Sequence, residues 1–173
     1  AFPKNEKDIN TLVSFAHQQG ISLIPRTAGT SLAGQCVGSG IVVDVSKYMN
    51  RILEFNAEEG WVRVQPGVIR DELNHFLKPY GYFFGPNTST ANRCMIGGMV
   101  GNNSSGTTSI KYGVTRDKVL ELKTILSNGS EVVFNEINTT EFNQKRMGSL
   151  LENRIYQTIF NEGGQFYKVL AQS

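Results

Sequence analysis

The chain has 173 residues, 39% hydrophobic and 18% charged, with a formal net charge of +2. That fits one soluble globular domain or two small subdomains sharing a core, and it is too nearly neutral to argue for nucleic acid or a charged membrane surface. No stretch approaches the roughly 20 apolar residues of a membrane span, and Ala1-Phe2-Pro3-Lys4 lacks the apolar run of a signal peptide. Two cysteines, Cys36 and Cys94, have no CxxC partner, and His17 and His75 lie far apart in sequence, so neither a disulfide framework nor a zinc site is expected. The 18 glycines gather in clusters.

In chain order, Asn5 caps a first helix, Asp8 suits its first turn, Ile9, Leu12, Val13 and Ala16 repeat at helical spacing, and Gly20 closes it. His17 and His75 read as polar edges of helices. Leu23-Ile24 is a short strand, ended by Pro25. Next comes Arg26-Thr27-Ala28-Gly29-Thr30-Ser31-Leu32-Ala33-Gly34-Gln35, rich in small residues and hydroxyls. Such a loop can curl so that several backbone N–H groups point into one concavity, a nest suited to phosphate or pyrophosphate. Arg26, Thr30 and Ser31 can add donors. On its own the stretch reads slightly better as a surface turn.

A second strand, residues 41–45, makes a small βαβ unit with what precedes it. Residues 52–55 and 61–64 form a hairpin, with Val62 and Val64 on its buried face. Gln65-Pro66-Gly67-Val68 starts a helix whose apolar side is Ile69, Leu73, Phe76 and Leu77, stopped by Pro79. A second glycine cluster runs from Gly85-Pro86-Asn87-Thr88-Ser89 to Ile96-Gly97-Gly98 and Asn102-Asn103-Ser104-Ser105-Gly106. Glycine there admits a backbone or ligand closely, and the amides and hydroxyls can hydrogen-bond it; a glycine turn packed on a helix accounts for it equally well. Residues 119–126 and 131–134 form a hairpin about Asn128-Gly129. Residues 141–148 read as irregular. Leu150, Leu151, Ile155, Tyr156 and Ile159 suit an amphipathic helix that Gly163-Gly164 ends, and the tail to Ser173 carries no closing signal, as in an excised piece.

Four stretches in order carry a resemblance: Pro25 to Gln35 as written above; Val64-Gln65-Pro66-Gly67-Val68; Ile96-Gly97-Gly98; and Lys111-Tyr112-Gly113-Val114-Thr115-Arg116-Asp117. Together they resemble the PCMH-type FAD-binding domain of the vanillyl-alcohol oxidase / para-cresol methylhydroxylase superfamily, over about residues 5–134. The chain is most similar to the D-lactate dehydrogenase and glycolate oxidase D-subunit branch, including large members joined to an iron–sulfur module. The resemblance implies an α+β, two-lobed domain, a small βαβ lobe plus a larger mixed sheet with helices. The lobes fall at 1–55 and 56–135, with 136–173 a helical extension toward a missing remainder.

It also implies non-covalent FAD between the lobes. Arg26, Thr27, Ala28, Gly29, Thr30 and Ser31 would wrap the pyrophosphate, with Gln35 nearby. Pro86, Asn87, Ser89, Ile96, Gly97 and Gly98 would reach from pyrophosphate to flavin ring, and Asn103 and Gly106 would approach the cofactor. Pro25, Pro66, Gly67, Asn102 and Tyr112 complete the expected set.

The implied function is oxidation of a 2-hydroxy acid, D-lactate or glycolate-like, with electrons passed to another domain, subunit or carrier. An iron–sulfur cluster would belong to the missing part, and the location would be cytoplasmic or peripheral at the inner membrane. The alternative is a degenerate nucleotide-binding or interaction module without catalysis, and a flavin reductase of the cell-wall precursor type ranks below both.

The chain departs from the family pattern in places. Thr27-Ala28-Gly29 stands where three glycines are usual, Met99 replaces the Asn after the Gly-Gly pair, and Ser104-Ser105 replaces Ala-Gly. Residues with a Cβ can still form the nest if their φ is negative. No histidine stands in the first loop to attach flavin, and Cys94 reads as a small buried thiol rather than a thioether. No catalytic residue is assigned, because the segments that bind substrate in the family have no counterpart here.

Overall fold

Asn5 opens the first helix, α1 (Glu6–Gln19), as its side chain implies: Oδ1 accepts from the Asp8 amide at 3.0 Å. Gly20 closes it at φ 64°, a left-handed conformation that glycine adopts without a steric penalty. Ala16 is buried, while His17 is exposed on the last turn. The computed structural model describes residues 1–170, with side chains described through residue 163. The chain divides into two compact units, Ala1–Val119 and a second beginning at Leu120.

In the first unit β1 (Leu23–Arg26) and β2 (Ile41–Asp44) pair in parallel, Leu23 opposite Ile41. Parallel pairing needs a crossover of roughly a dozen residues, usually a helix. Here residues 27–40 cross without one and α1 precedes the pair, so the expected βαβ order is not formed. Pro25 does not end β1 but lies within it, opposite Val43. Ile41 and Val45 donate to the carbonyls of Ser22 and Arg26, so the even-numbered residues of β1 face β2 and the missing N–H of Pro25 points outward. On the far edge of β2 the Ala1 amine donates to Val42 O, and the Asp44 amide to Ala1 O.

The hairpin of β3 (Ile52–Asn56) and β4 (Trp61–Val64) forms as the alternation predicts, turning at Gly60 with φ 71°. Val62 and Val64, with Ile52, Phe55, Phe76, Phe84 and Ile96, pack on a buried centre of Val68, Leu73 and Leu77. The following helix, α2 (Arg70–Leu77), begins later than Val68. Val68–Arg70 is engaged elsewhere: Ile69 bridges Met95, Val68 O accepts from Ile96 and the Arg70 amide donates to Cys94 O. α2 ends at Leu77, ahead of Pro79 as expected; Pro79 sits early in a 3-10 turn, Lys78–Tyr80, where its absent N–H costs nothing, and Gly81 at φ 80° ends that turn. Three short helical segments complete the unit: α3 (Ile96–Gly101), α4 (Ser109–Tyr112) and a 3-10 turn at Thr115–Lys118.

In the second unit β5 (Glu121–Ile125) and β6 (Glu131–Asn135) pair antiparallel. Gly129 takes φ 82° at the turn, and Asn128 Oδ1 accepts from the Ser130 amide and hydroxyl. Among the described residues each sheet is thus two-stranded, within a mixed helix-and-sheet architecture.

Residues 141–148, expected to be irregular, mostly belong to a helix, α5 (Thr139–Lys145). Asn138 and Glu141 form a capping box, each side chain accepting from the other's amide. The last helix, α6 (Leu151–Leu170), passes through Gly163-Gly164 instead of stopping there. Each glycine lowers helix propensity by about 1 kcal/mol, a cost that packing elsewhere in the helix can offset. Tyr156 of α6 is buried with the Phe134 and Phe142 rings against it. The expected tail extends to residues 171–173, outside the described residues. Among the described residues no helix is long and apolar enough to cross a membrane.

Lys145 Nζ donates to Glu152 Oε1 at 2.7 Å and lies over the Tyr156 ring. That hydrogen bond raises its pKa above the ordinary lysine value, against the partial desolvation that lowers it. A raised ammonium pKa gives stability that is complete below about pH 10.4 and is lost as pH rises through the raised value. Lys145→Met should therefore destabilise the protein by up to about 1 kcal/mol at pH 7. In denaturant titrations at increasing pH, the gap from wild type should close at the alkaline end.

Candidate cofactor site

Residues 27–35 leave β1 as an open coil. Among the described residues, the amides of Ala28, Gly29, Thr30, Ser31 and Leu32 donate to no protein acceptor. Ala28, Gly29 and Thr30 are half-buried, while Ser31 to Gln35 are exposed. Gly29 has φ 65°, while Thr27 and Ala28 keep negative φ, since Asn103 is the one non-glycine residue with positive φ among those described. The two extra Cβ atoms are therefore tolerated, as the sequence reading requires. A run of unpaired N–H groups turning through one left-handed residue is the chemistry of an anion nest.

Arg26 lies beside this run. Its guanidinium packs over Gly29, so closely that a Cβ there would come within 2.9 Å of Nε, and it faces Asp44 at 3.8 Å. Ser31 Oγ donates to Gln35 Oε1, closing the far side of the coil, and the Cys36 thiol lies 4.0 Å from Gly29 O. Pro25 is exposed within β1 and Thr30 is half-buried.

The first loop meets the second glycine cluster at one point. Gly98 packs on Thr27 Oγ1 with no room for a Cβ between them. One residue earlier, a Cβ on Gly97 would lie 2.5 Å from Pro66 Cβ, and the Gly97 amide donates to Pro66 O at 2.8 Å. Gly67 is buried, its amide on Met49 O at 2.7 Å. Residues at 27, 66 and 97–98, far apart in the chain, are thereby held side face to side face, with Ile96 half-buried at the head of α3. Met99, where the family carries Asn, is buried inward, and Cys94 lies 3.6 Å from its sulfur. The Cys94 thiol is buried and 3.2 Å from Thr88 Oγ1.

The remaining expected residues assemble around the segment 84–89. Pro86 is fully buried, Asn87 half-buried and Ser89 exposed. Gly106 lies directly on the Asn87 carbonyl, and Thr108 Oγ1 donates to Gly85 O at 2.8 Å. Tyr112 covers Gly85 and stacks edge-on with Phe83 at 5.0 Å. Asn103, at φ 45°, accepts the Arg116 amide on Oδ1 at 3.0 Å, and exposed Asn102 donates to Ser104 Oγ at 3.3 Å. Thr115, fully buried, anchors the turn by donating amide and hydroxyl to Ser104 O. His17 and His75 are both exposed on their helices. Sequence reasoning missed Arg70, Asn74 and Thr108, whose partners are main-chain groups distant in sequence. The one available signal was the i, i+4 polar pair Arg70 and Asn74 beside the apolar stripe of α2.

The loop's unpaired amides and adjacent guanidinium fit the diphosphate of a dinucleotide. Residues 1–135 match the family described as FAD binding domain. D-2-hydroxyglutarate dehydrogenase of Escherichia coli (strain K12) is 47% identical over 131 residues, covering 74% of this chain and 13% of its own length. Glycolate oxidase subunit GlcD of Bacillus subtilis is 37% identical, covering 73% of this chain and 27% of its own. D-lactate dehydrogenase (cytochrome) of Kluyveromyces lactis is 35% identical, covering 76% and 23%. The chain thus spans less than a third of the length of these curated relatives. In fold it is similar to 6-hydroxy-D-nicotine oxidase from Arthrobacter nicotinovorans, with a TM-score of 0.71 at 20% identity over 82% of this chain and 31% of that one. The match over most of the chain gives the assembled loop and glycine helix a family: this protein belongs to the FAD binding domain family.

Proposed function

We propose that the chain is the FAD-binding portion of a flavin-dependent dehydrogenase or oxidase that oxidises a 2-hydroxy acid and passes the electrons to another domain, subunit or carrier. The observation that carries the reading is the run of unpaired amides at residues 28–32, closed against Gly98 through Thr27. Relatives named for D-2-hydroxyglutarate, D-lactate and glycolate support the substrate class. In this reading Arg26 to Ser31, with Pro25 and Gln35, hold the pyrophosphate. Pro66, Gly67, Pro86, Asn87, Ser89, Ile96, Gly97, Gly98, Asn102, Asn103, Gly106 and Tyr112 line the path toward the ring. The lobes divide at residues 55 and 135.

Bound FAD supplies the redox chemistry; the residues here bind it, orient it and exclude water from it. In this reading binding is non-covalent, which the burial of Cys94 among Thr88 and Met99 supports. An iron–sulfur cluster, if the full protein holds one, belongs outside this chain.

The test is the full-length protein. It should be yellow, with flavin absorption bands that acid precipitation releases into the supernatant and that D-2-hydroxyglutarate, D-lactate or glycolate bleaches anaerobically. A preparation without flavin that takes none up on titration overturns the reading.

A further inference from the structure

We propose that Arg70, together with Asn74 one turn further along α2, is a positioning residue for the cofactor: it sets the height and register of residues 86–89 against the flavin dinucleotide. The inference rests on the FAD reading above and concerns residues outside the set expected to touch the cofactor.

Residues 82–88 belong to no helix or strand. Their polar backbone groups must still be satisfied, and side chains do it. The carbonyls alternate. Those of Phe84 and Pro86 face α2, and those of Gly85 and Asn87 face the turn at residues 106–108.

On the α2 side Asn74 behaves as a residue of a missing strand: Oδ1 accepts from the Phe84 amide at 2.6 Å and Nδ2 donates to Phe84 O at 3.2 Å. Arg70 spans two steps of the segment, with Nη2 on Phe84 O at 3.3 Å and Nε on Pro86 O at 3.1 Å. Its side chain is only 12% exposed, and Asp71 Oδ1 accepts Nη1 at 2.7 Å. The Arg70 amide meanwhile donates to Cys94 O and the Asp71 amide to Ala91 O. One helix end therefore ties both arms of the 84–94 excursion.

A rigid guanidinium fork can hold two carbonyls at fixed spacing; an ammonium, a single point on a flexible stem, cannot. Because Pro86 has no N–H, its carbonyl is the sole backbone group by which that residue is held. Losing the fork frees residues 86–89 to shift while the apolar centre of Val68, Leu73 and Leu77 stays intact.

The experiment uses the full-length protein with Arg70→Lys and Arg70→Met. FAD affinity is read by fluorescence titration and the environment of the bound ring by visible-region circular dichroism. Arg70→Lys should weaken FAD at least about tenfold, the scale of one lost hydrogen bond to a charged donor, and change the visible dichroism. Arg70→Met should weaken it further. Should Arg70→Met fail to fold, Arg70→Lys, which keeps the buried charge, decides the matter. An Arg70→Lys protein with wild-type affinity and unchanged dichroism overturns the role of Arg70 alone. A wild-type protein that takes up no FAD overturns the underlying reading as well.

Discussion

Gly106→Ala is expected to destabilise the first unit more than any other single methyl added to it. The new Cβ would fall on the Asn87 carbonyl oxygen and lie 3.2 Å from the Thr88 amide. That carbonyl is main chain. It cannot rotate aside unless residues 86–88 move, and these are held on both flanks, by Arg70 on Pro86 O and by Thr108 on Gly85 O. Overpacking typically costs 1–3 kcal/mol, and a backbone obstruction that cannot relax belongs at about 3 kcal/mol or above. At roughly 2–4 °C per kcal/mol for a chain of this size, the melting temperature should fall by about 6–12 °C. FAD should bind more weakly still, because the two displaced segments are the ones proposed to line the cofactor.

Gly101→Ala is the control. Nothing lies within 4 Å of a Cβ at that last residue of α3, so the variant should be neutral or gain up to about 1 kcal/mol from helix propensity. If Gly106→Ala melts with wild type, the close approach of residues 87 and 106 is wrong.

The contrast shows which features a sequence can announce. Asn5 and Gly20 were legible because a cap acts within four residues, and the two hairpins because alternation and turn glycines are local. Pro25 was misread because its place in β1 depends on which edge faces β2, a fact set by residues 41–45. α5 was misread for a different reason: its polarity outweighed the Asn138–Glu141 box, which was there to be read. The run through Gly163-Gly164 shows that propensity is only a prior.

For the site, composition marked the first loop as nest-forming but could not lift it above a surface turn. What distinguishes it is the meeting of Thr27 with Gly98, a contact across some seventy residues that only a family pattern can carry. Arg70, Asn74 and Thr108 stayed invisible because their partners are main-chain groups, which every residue has. Met99 shows the reverse case. The departure from the family's Asn is a side chain turned into the core beside Cys94.

Ala28→Pro separates the proposed binding role from stability. Proline removes the amide of residue 28 and asks for a φ near −65°, and Ala28 is not among the residues with positive φ. The residue before it, Thr27, is pushed toward extended backbone, which a β-branched side chain favours. No protein acceptor loses a partner, because that amide donates to none among the described residues. The FAD-free protein should therefore melt within about 1 kcal/mol of wild type, or slightly higher through reduced unfolded-chain entropy.

Toward FAD the same change removes one charge-assisted donor, worth about 1.5–3 kcal/mol, so the dissociation constant should rise roughly 10- to 150-fold. Gly29→Ala makes the opposite comparison: a methyl at φ 65° costs about 1–2 kcal/mol in the free protein and also displaces Arg26, so stability and affinity fall together. A pyrophosphate nest predicts that these two neighbours behave differently. If Ala28→Pro binds FAD as tightly as wild type, the amides of residues 28–32 face something other than the diphosphate, and the assignment of the first loop fails with them.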